Sequence, residues 1–302
     1  MIQNYKKIVE NKYDILLTLI ILGAVIVLFT RNGSNNRFKT IYNKINIHDI
    51  LKKNILFILL VILLIICIIH FINGKKKTIN ILGNGSSLKN FDFNILDGET
   101  IGTCLAYRYW YKINWFPDHY CCVDDVVIKS NIEDIKKLIV ENRCKTYLLT
   151  KSIINHWKDV KNYKNVYYIQ DFRGDKNNIF SELNQYCSGS SATLYAYLLG
   201  AEKINLFGID CNYKEFLPET RKLNDGTLMI TKTPIHNPNY FIDDYQREGD
   251  IYNKPKTRTV HYVSWGMINN IIGKKTEIIN YNKTDKLDQF FTRENQYKGF
   301  YF

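Results

Sequence analysis

The seven cysteines include no C-x-x-C pair and no spacing that suits a metal. This argues against a zinc ribbon and against a dithiol redox motif. An odd number of scattered thiols, with Cys121 next to Cys122 and Cys67 inside an apolar run, fits a reducing compartment or small buried residues. One disulfide stays open. The sequence has no internal repeat, which argues against a solenoid. Acidic residues are in deficit, 29 against 41 Lys and Arg, for a formal net charge of +12. That balance favours anionic partners such as nucleotide-sugars or lipid headgroups. The bases are spread along the chain and gather around two apolar runs, so the charge reads as membrane-proximal rather than as a nucleic-acid footprint. Proline is scarce, and four of the five fall between 212 and 258. The abundant Asn, Lys, Ile and Tyr are what an AT-rich genome would encode.

The first apolar run covers 15–30 and the second 55–73, and Asn54 to Gly74 carries no charge. Sixteen residues make a helix of about 24 Å, thin for a bilayer core of about 30 Å but sufficient with snorkelling flanks. The second run is long enough to span. Both are expected as transmembrane helices, with 1–75 as a membrane anchor. No A-x-A-like site follows the first run, which argues against a cleaved signal. The loop between them sets Arg31, Arg37, Lys39, Lys44, Lys52 and Lys53 against Asp49. The positive-inside rule places this loop in the cytoplasm, whereas Lys75-Lys76-Lys77 pull the other way. The side of the membrane that holds the rest of the chain stays open.

The second run is followed at once by Thr78 to Leu82 and then Gly83-Asn84-Gly85-Ser86-Ser87-Leu88. A β-prone segment runs here into a tight glycine turn. Glycines leave no Cβ in the way of a ligand, and the amides and hydroxyls of such a turn suit anionic oxygens. By itself the turn could equally be strand punctuation. A hundred residues later comes Cys187-Ser188-Gly189-Ser190-Ser191, with Ser188 as expected N-cap of a helix that Gly200 ends. A buried strand, Ile204 to Phe207, leads to Gly208-Ile209-Asp210, a carboxylate at the edge where open α/β sheets bind ligands. An ordinary helix–strand unit would look the same.

Together these segments resemble the bacterial lipo-oligosaccharide sialyltransferases, glycosyltransferase family 42, over roughly 76–280. A more distant likeness is to the archaeal-type pterin pyrophosphokinases. The sialyltransferase resemblance implies nucleotide contacts at Gly83, Asn84, Gly85, Ser86, Ser188, Gly189 and Asp210, with Asn84 and Ser188 the strongest. It implies lid tyrosines that hold the donor phosphate without metal, for which Tyr213, Tyr240 and Tyr245 are candidates. It also implies no cofactor beyond the nucleotide-sugar donor, which would be CMP-linked. Two positions depart from the family pattern and bear on donor choice. Leu105-Ala106 stand where an asparagine is common, and Gln185 where an arginine is common.

The expected fold is α/β, a Rossmann-like and mostly parallel sheet flanked by helices, with a lid-like insertion. Strands are expected at Thr100 to Leu105, His119 to Val123, Thr146 to Leu149, Val166 to Ile169, Ile204 to Phe207 and Glu277 to Ile279. Helices are expected after Asn131, over Ser188 to Gly200 and over Val263 to Ile272. The domain runs over 76–282 with the lid at 212–260, and 283–302 forms a polar, aromatic tail. His261, just before a helix at the end of the lid, is the candidate general base, since an imidazole titrates near neutrality. A comparable histidine deprotonates the acceptor in the related sialyltransferases. His236 is the rival, and a structural histidine is the plain alternative. Asp124 and Asp125 end a strand, but adjacent residues point to opposite sides of an extended chain. That disfavours a shared metal, and the resemblance implies a ribose or base contact instead.

The reading is thus a membrane-anchored, metal-independent glycosyltransferase moving a sugar to a glycan or glycolipid. Its partners are the donor, the acceptor and the membrane, with a homo-oligomer left open. The alternatives are a Mg²⁺-dependent pyrophosphokinase and a non-catalytic nucleotide- or glycan-binding membrane protein.

Overall fold

The computed structural model describes residues 59, 62–66, 76–214, 217–254 and 260–302. The chain divides into two compact units, Met1–Lys75 and Lys76–Phe302. The expected spans at 15–30 and 55–73 lie outside the described residues, except for 59 and 62–66, which are helical. Among the described residues, no helix is long and apolar enough to cross a membrane.

The second unit is built on one eight-stranded sheet. Its first five strands are β1 (Thr78–Leu82), β2 (Glu99–Thr103), β3 (His119–Cys122), β4 (Thr146–Leu149) and β5 (Val166–Tyr168). Between them lie the helices α1 (Tyr107–Ile113), α2 (Asp125–Ser130), α3 (Ile132–Val140) and α4 (Ile153–His156). Then follow α5 (Ile169–Gly174), α6 (Ser188–Leu198) and β6 (Lys203–Phe207). The insertion supplies β7 (Thr220–Lys222), β8 (Leu228–Ile230) and β9 (Ile251–Tyr252), and the chain ends with α7 (Tyr262–Ile272), β10 (Glu277–Tyr281), β11 (Thr292–Arg293), β12 (Gln296–Tyr297) and β13 (Phe300–Tyr301).

The sheet order is β11-β10-β6-β1-β2-β3-β4-β5, and every neighbouring pair is parallel. The chain winds outward from β1 to β5, then crosses back through α6 to place β6 on the other side of β1. Reversal of winding at β1 and β6 opens a crevice at the carboxyl ends of those strands.

Side chains alternate across this sheet into two cores. Tyr120, Tyr147 and Phe207 pack with Trp110 of α1 and Leu138 of α3 on one face. Ile81, Ile101 and Leu206 pack with Ala192 of α6 and Trp265 of α7 on the other. Helix α6 is buried at every position from Ser190 to Ala196, as its small residues permit. Inside the sheet Asn205 Nδ2 donates to Asn80 Oδ1 at 2.8 Å, across paired positions of β1 and β6. Asn80 Nδ2 in turn donates to Asp97 O at 2.7 Å, while Asn205 Oδ1 is buried with no partner among the described residues.

Several boundaries differ from the sequence expectation. β2 stops at Thr103 because Cys104 takes a left-handed backbone (φ 50°), which breaks the strand and starts a 3₁₀ turn. β5 stops at Tyr168, and Ile169 opens a helix instead. β10 runs on to Tyr281. Asn131 is the N-cap residue of α3, but its side chain caps nothing: Nδ2 donates to Val127 O, and Oδ1 accepts from Arg108. Ser188 is the first residue of α6 rather than its cap, and Cys187 takes that position.

The insertion is less irregular than its composition suggests. β7, β8 and β9 form an antiparallel three-stranded sheet. The end of the chain also folds onto the domain. β11 pairs with β10, and Tyr297, Phe300 and Phe302 pack around Phe91, Phe207 and Tyr281.

Candidate active site

The glycine turn and the end of β6 hold each other. Gly83 N donates to Phe207 O at 2.7 Å and Gly85 N to Gly208 O at 2.8 Å. Gly208 sits at φ 66°, with Leu88 filling the space a Cβ would need. Asp210 Oδ2 accepts from Ser87 N at 2.8 Å and lies against Gly85. Burial pushes the Asp210 carboxyl up, and the bonds from Ser87 offset part of that. Gly85, Ser86 and Asp210, expected at the nucleotide, do not line the crevice. Packing explains it: the carboxylate is folded under the turn as its support, and Gly85 is small to admit it.

The crevice itself is a cleft of about 560 Å³, lined by Gly83 and Asn84 from the turn and by Ser188 and Gly189 from the start of α6. Asn84 Nδ2 donates to Thr103 Oγ1 at 3.2 Å, while its Oδ1 is buried with no partner among the described residues. Its carbonyl accepts from Phe241 N at 3.1 Å, which fastens the insertion to the turn. Ser188 Oγ accepts from Val123 N at 3.1 Å and from the Cys104 thiol at 3.2 Å. Three loops thus meet on one hydroxyl.

Asp124 and Asp125 both line the cleft and diverge, as adjacency requires. Asp124 caps α2, accepting from Val126 N at 3.0 Å and from Asn253 Nδ2 at 3.1 Å. Asp125 Oδ1 accepts from Ser152 Oγ at 2.5 Å and from Thr150 Oγ1. Among the described residues, no group of three His, Cys, Asp or Glu side chains is placed to hold a metal ion.

The insertion contributes a row of rings to the same cleft. The His261 ring lies 5.8 Å from Tyr213, Tyr213 lies 6.1 Å from Tyr240, and Tyr240 stacks on Tyr245 at 3.9 Å. Tyr245 Oη accepts from Leu105 N at 3.1 Å. Burial pushes all three phenols up, so they stay protonated and able to donate. His261 is the N-cap residue of α7 and lines the cleft. The rival His236 is exposed and pairs with Asp243 at 3.1 Å, away from the cleft.

Sequence reasoning missed Cys187, which lines the cleft beside His261. Burial pushes the Cys187 thiol up, but a hydrogen bond with His261, its charge and the bonds from Ser190 outweigh this and bring it down to about 6. Burial pushes His261 down, and Cys187 together with the charge of Asp124 carries it above its ordinary value. The one available signal was the position of a cysteine directly before the predicted helix start.

No protein-family model matches the chain, and no curated protein does. Among solved structures it is similar to the Campylobacter jejuni sialyltransferase CstII in complex with the substrate analogue CMP-3FNeuAc, at 15% identity over 75% of this chain and 89% of that one, with a TM-score of 0.45. It is similar to the monofunctional α-2,3-sialyltransferase Cst-I from Campylobacter jejuni, at 14% identity over 72% and 79% of the two chains, with a TM-score of 0.48. It is also similar to the MAf glycosyltransferase from Magnetospirillum magneticum AMB-1, at 13% identity over 68% and 31%, with a TM-score of 0.41.

Proposed function

We propose that this chain is a glycosyltransferase that moves a sugar from a nucleotide donor, CMP-linked by the motif resemblance, to a glycan or glycolipid hydroxyl. The observation that carries this reading is the meeting, in one cleft at the sheet's reversal point, of the Gly83-Asn84 turn, the Ser188-Gly189 helix start, the tyrosine row and His261. In this reading the turn and the helix start hold the nucleotide. Asp124 or Asp125 accepts a hydrogen bond from its ribose or base.

His261 takes the proton from the acceptor hydroxyl as the oxygen attacks the anomeric carbon. A new C–O bond forms, the bond from the anomeric carbon to the donor phosphate breaks, and its electron pair leaves on the phosphate. The protonated phenols of Tyr213 and Tyr240 donate hydrogen bonds to that growing charge, the task a metal ion performs elsewhere. Tyr245 backs them by stacking and by receiving the Leu105 amide. The aliphatic run at 55–73 supports anchoring in a membrane, where a glycolipid acceptor would lie.

The test is a thermal-shift screen of the full, detergent-solubilised chain against CMP, CDP, UDP, GDP and ATP, with and without Mg²⁺. Stabilisation by CMP without metal is expected, with transfer from a CMP-sugar that survives EDTA. Stabilisation by ATP only with Mg²⁺ would point to a pyrophosphokinase. Binding without turnover of any donor would leave a non-catalytic receptor.

A further inference from the structure

The Ser188 hydroxyl has its acceptor capacity filled. A serine oxygen offers two lone pairs and one proton. One lone pair takes the Val123 amide at 3.1 Å, and the other takes the Cys104 thiol at 3.2 Å. Among the described residues, nothing accepts the proton. The backbone of Ser188 is held as well, since its carbonyl accepts from the Cys121 thiol at 3.5 Å. Ser188 is half-buried and lines the cleft, so an unspent O–H is what its side chain has left for a ligand.

Cys104 reaches this hydroxyl through an uncommon backbone. Its φ of 50° is rare for a residue with a Cβ, and it ends β2. The peptide unit between Cys104 and Leu105 is pinned on both sides. Tyr120 Oη donates to Cys104 O at 3.0 Å, and Leu105 N donates to Tyr245 Oη at 3.1 Å. One tyrosine belongs to β3 and the other to the insertion. A left-handed residue persists where its surroundings enforce it, and such residues gather at functional sites.

We propose that Cys104 is a positioning residue for Ser188. Its thiol and the Val123 amide together commit Ser188 to the role of donor, so the ligand atom opposite Ser188 is an acceptor, an anionic oxygen or a carbonyl, rather than a hydroxyl or an amine. The polarity stands on the hydrogen bonds just described, while the nucleotide as ligand rests on the transferase reading given above. A thiol is a weak donor, but here its position matters more than its strength. It occupies the lone pair through which Ser188 would otherwise accept.

The first experiment needs no ligand and uses the full, detergent-solubilised chain. The S–H stretch of Cys104 is taken by infrared difference as the band that Cys104→Ala removes. Alanine keeps the Cβ and the left-handed backbone, so the variant loses the thiol and little else. The band should lie at the lower frequency of a hydrogen-bonded thiol, and it should rise in Ser188→Ala, which removes the acceptor. A wild-type band at the frequency of a free thiol would overturn the proposal, and so would a band that Ser188→Ala leaves in place. The first of these outcomes needs no Ser188 variant, so the test stands even where that variant does not fold.

CMP affinity by calorimetry supplies the second readout. Ser188→Ala should weaken CMP about tenfold and Cys104→Ala about threefold, both within the range of a single hydrogen bond. In the double variant the Cys104→Ala loss should vanish, because the hydroxyl that the thiol directs is gone. An equal Cys104→Ala loss with and without Ser188 would overturn the proposal. A wild type that binds no CMP would sink the donor named above, and the infrared bands alone would then decide whether Cys104 directs Ser188.

Discussion

Arg108 and Asp250 meet fork to fork in the interior, with Nη1 2.5 Å from Oδ2 and Nη2 2.9 Å from Oδ1. Both side chains are nearly buried, 5% and 10% exposed. The guanidinium also donates to Tyr245 O at 2.8 Å and to Asn131 Oδ1 at 2.6 Å. One residue of α1 therefore grips the insertion at Tyr245 and at Asp250 and ties it to the start of α3.

Removing one partner strands the other charge. Arg108→Ala should destabilise the fold by about 3–5 kcal/mol, whereas Arg108→Met with Asp250→Leu should recover most of that. Urea unfolding of the single and double variants checks both. A single variant that costs less than about 1 kcal/mol, the range of exposed pairs, would show that the grip is dispensable.

The support under the glycine turn makes a second expectation. A Cβ at position 85 would collide with the Asp210 carboxylate. Gly85→Ala should cost about 1–3 kcal/mol through overpacking and loosen nucleotide binding with it. Gly174 is the control: it ends α5 with open space where a Cβ would go, so Gly174→Ala should be neutral or stabilising by about 0.4–1 kcal/mol. Melting curves of the two variants should move in opposite directions or by clearly unequal amounts.

Tyr245→Phe leaves the stack on Tyr240 and takes away the acceptor for the buried Leu105 amide. An unpaired buried donor costs about 1–3 kcal/mol. Amide hydrogen exchange at Leu105 should quicken while that of β1 stays slow. Unchanged exchange at Leu105 would mean that another group accepts this hydrogen.

In the transferase reading, His261→Ala should lower kcat by about 10²–10⁴, the usual contribution of a general base. CMP affinity by calorimetry should change little, because the nucleotide is held by the turn and by α6. A proportional loss of binding and turnover would instead make His261 a binding residue.

Much of the scaffold was legible because it is local. Short β-prone apolar runs marked β1, β3, β4 and β6, and small residues after Ser188 marked a helix able to pack on all sides. The Gly83-Asn84-Gly85 turn was visible because only glycine serves where backbones approach so closely. The lid sheet was not visible: β7, β8 and β9 have only two or three residues each, too few for a period to show. The left-handed Cys104 was hidden too, since nothing beside it in the sequence demands that conformation.

The sequence by itself determined a parallel α/β sheet, its glycine turn and the helix starts that border the cleft, because each follows from a period or a backbone preference a few residues long. Only the tertiary structure decided what the polar side chains do. It turned Asp210 beneath the turn, sent Tyr245 to the Leu105 amide, joined Arg108 to Asp250 and brought Cys187 and His261 to one cleft. Each of these depends on how distant elements pack, and the burial and partner that set a side chain's charge and orientation exist only once they have packed.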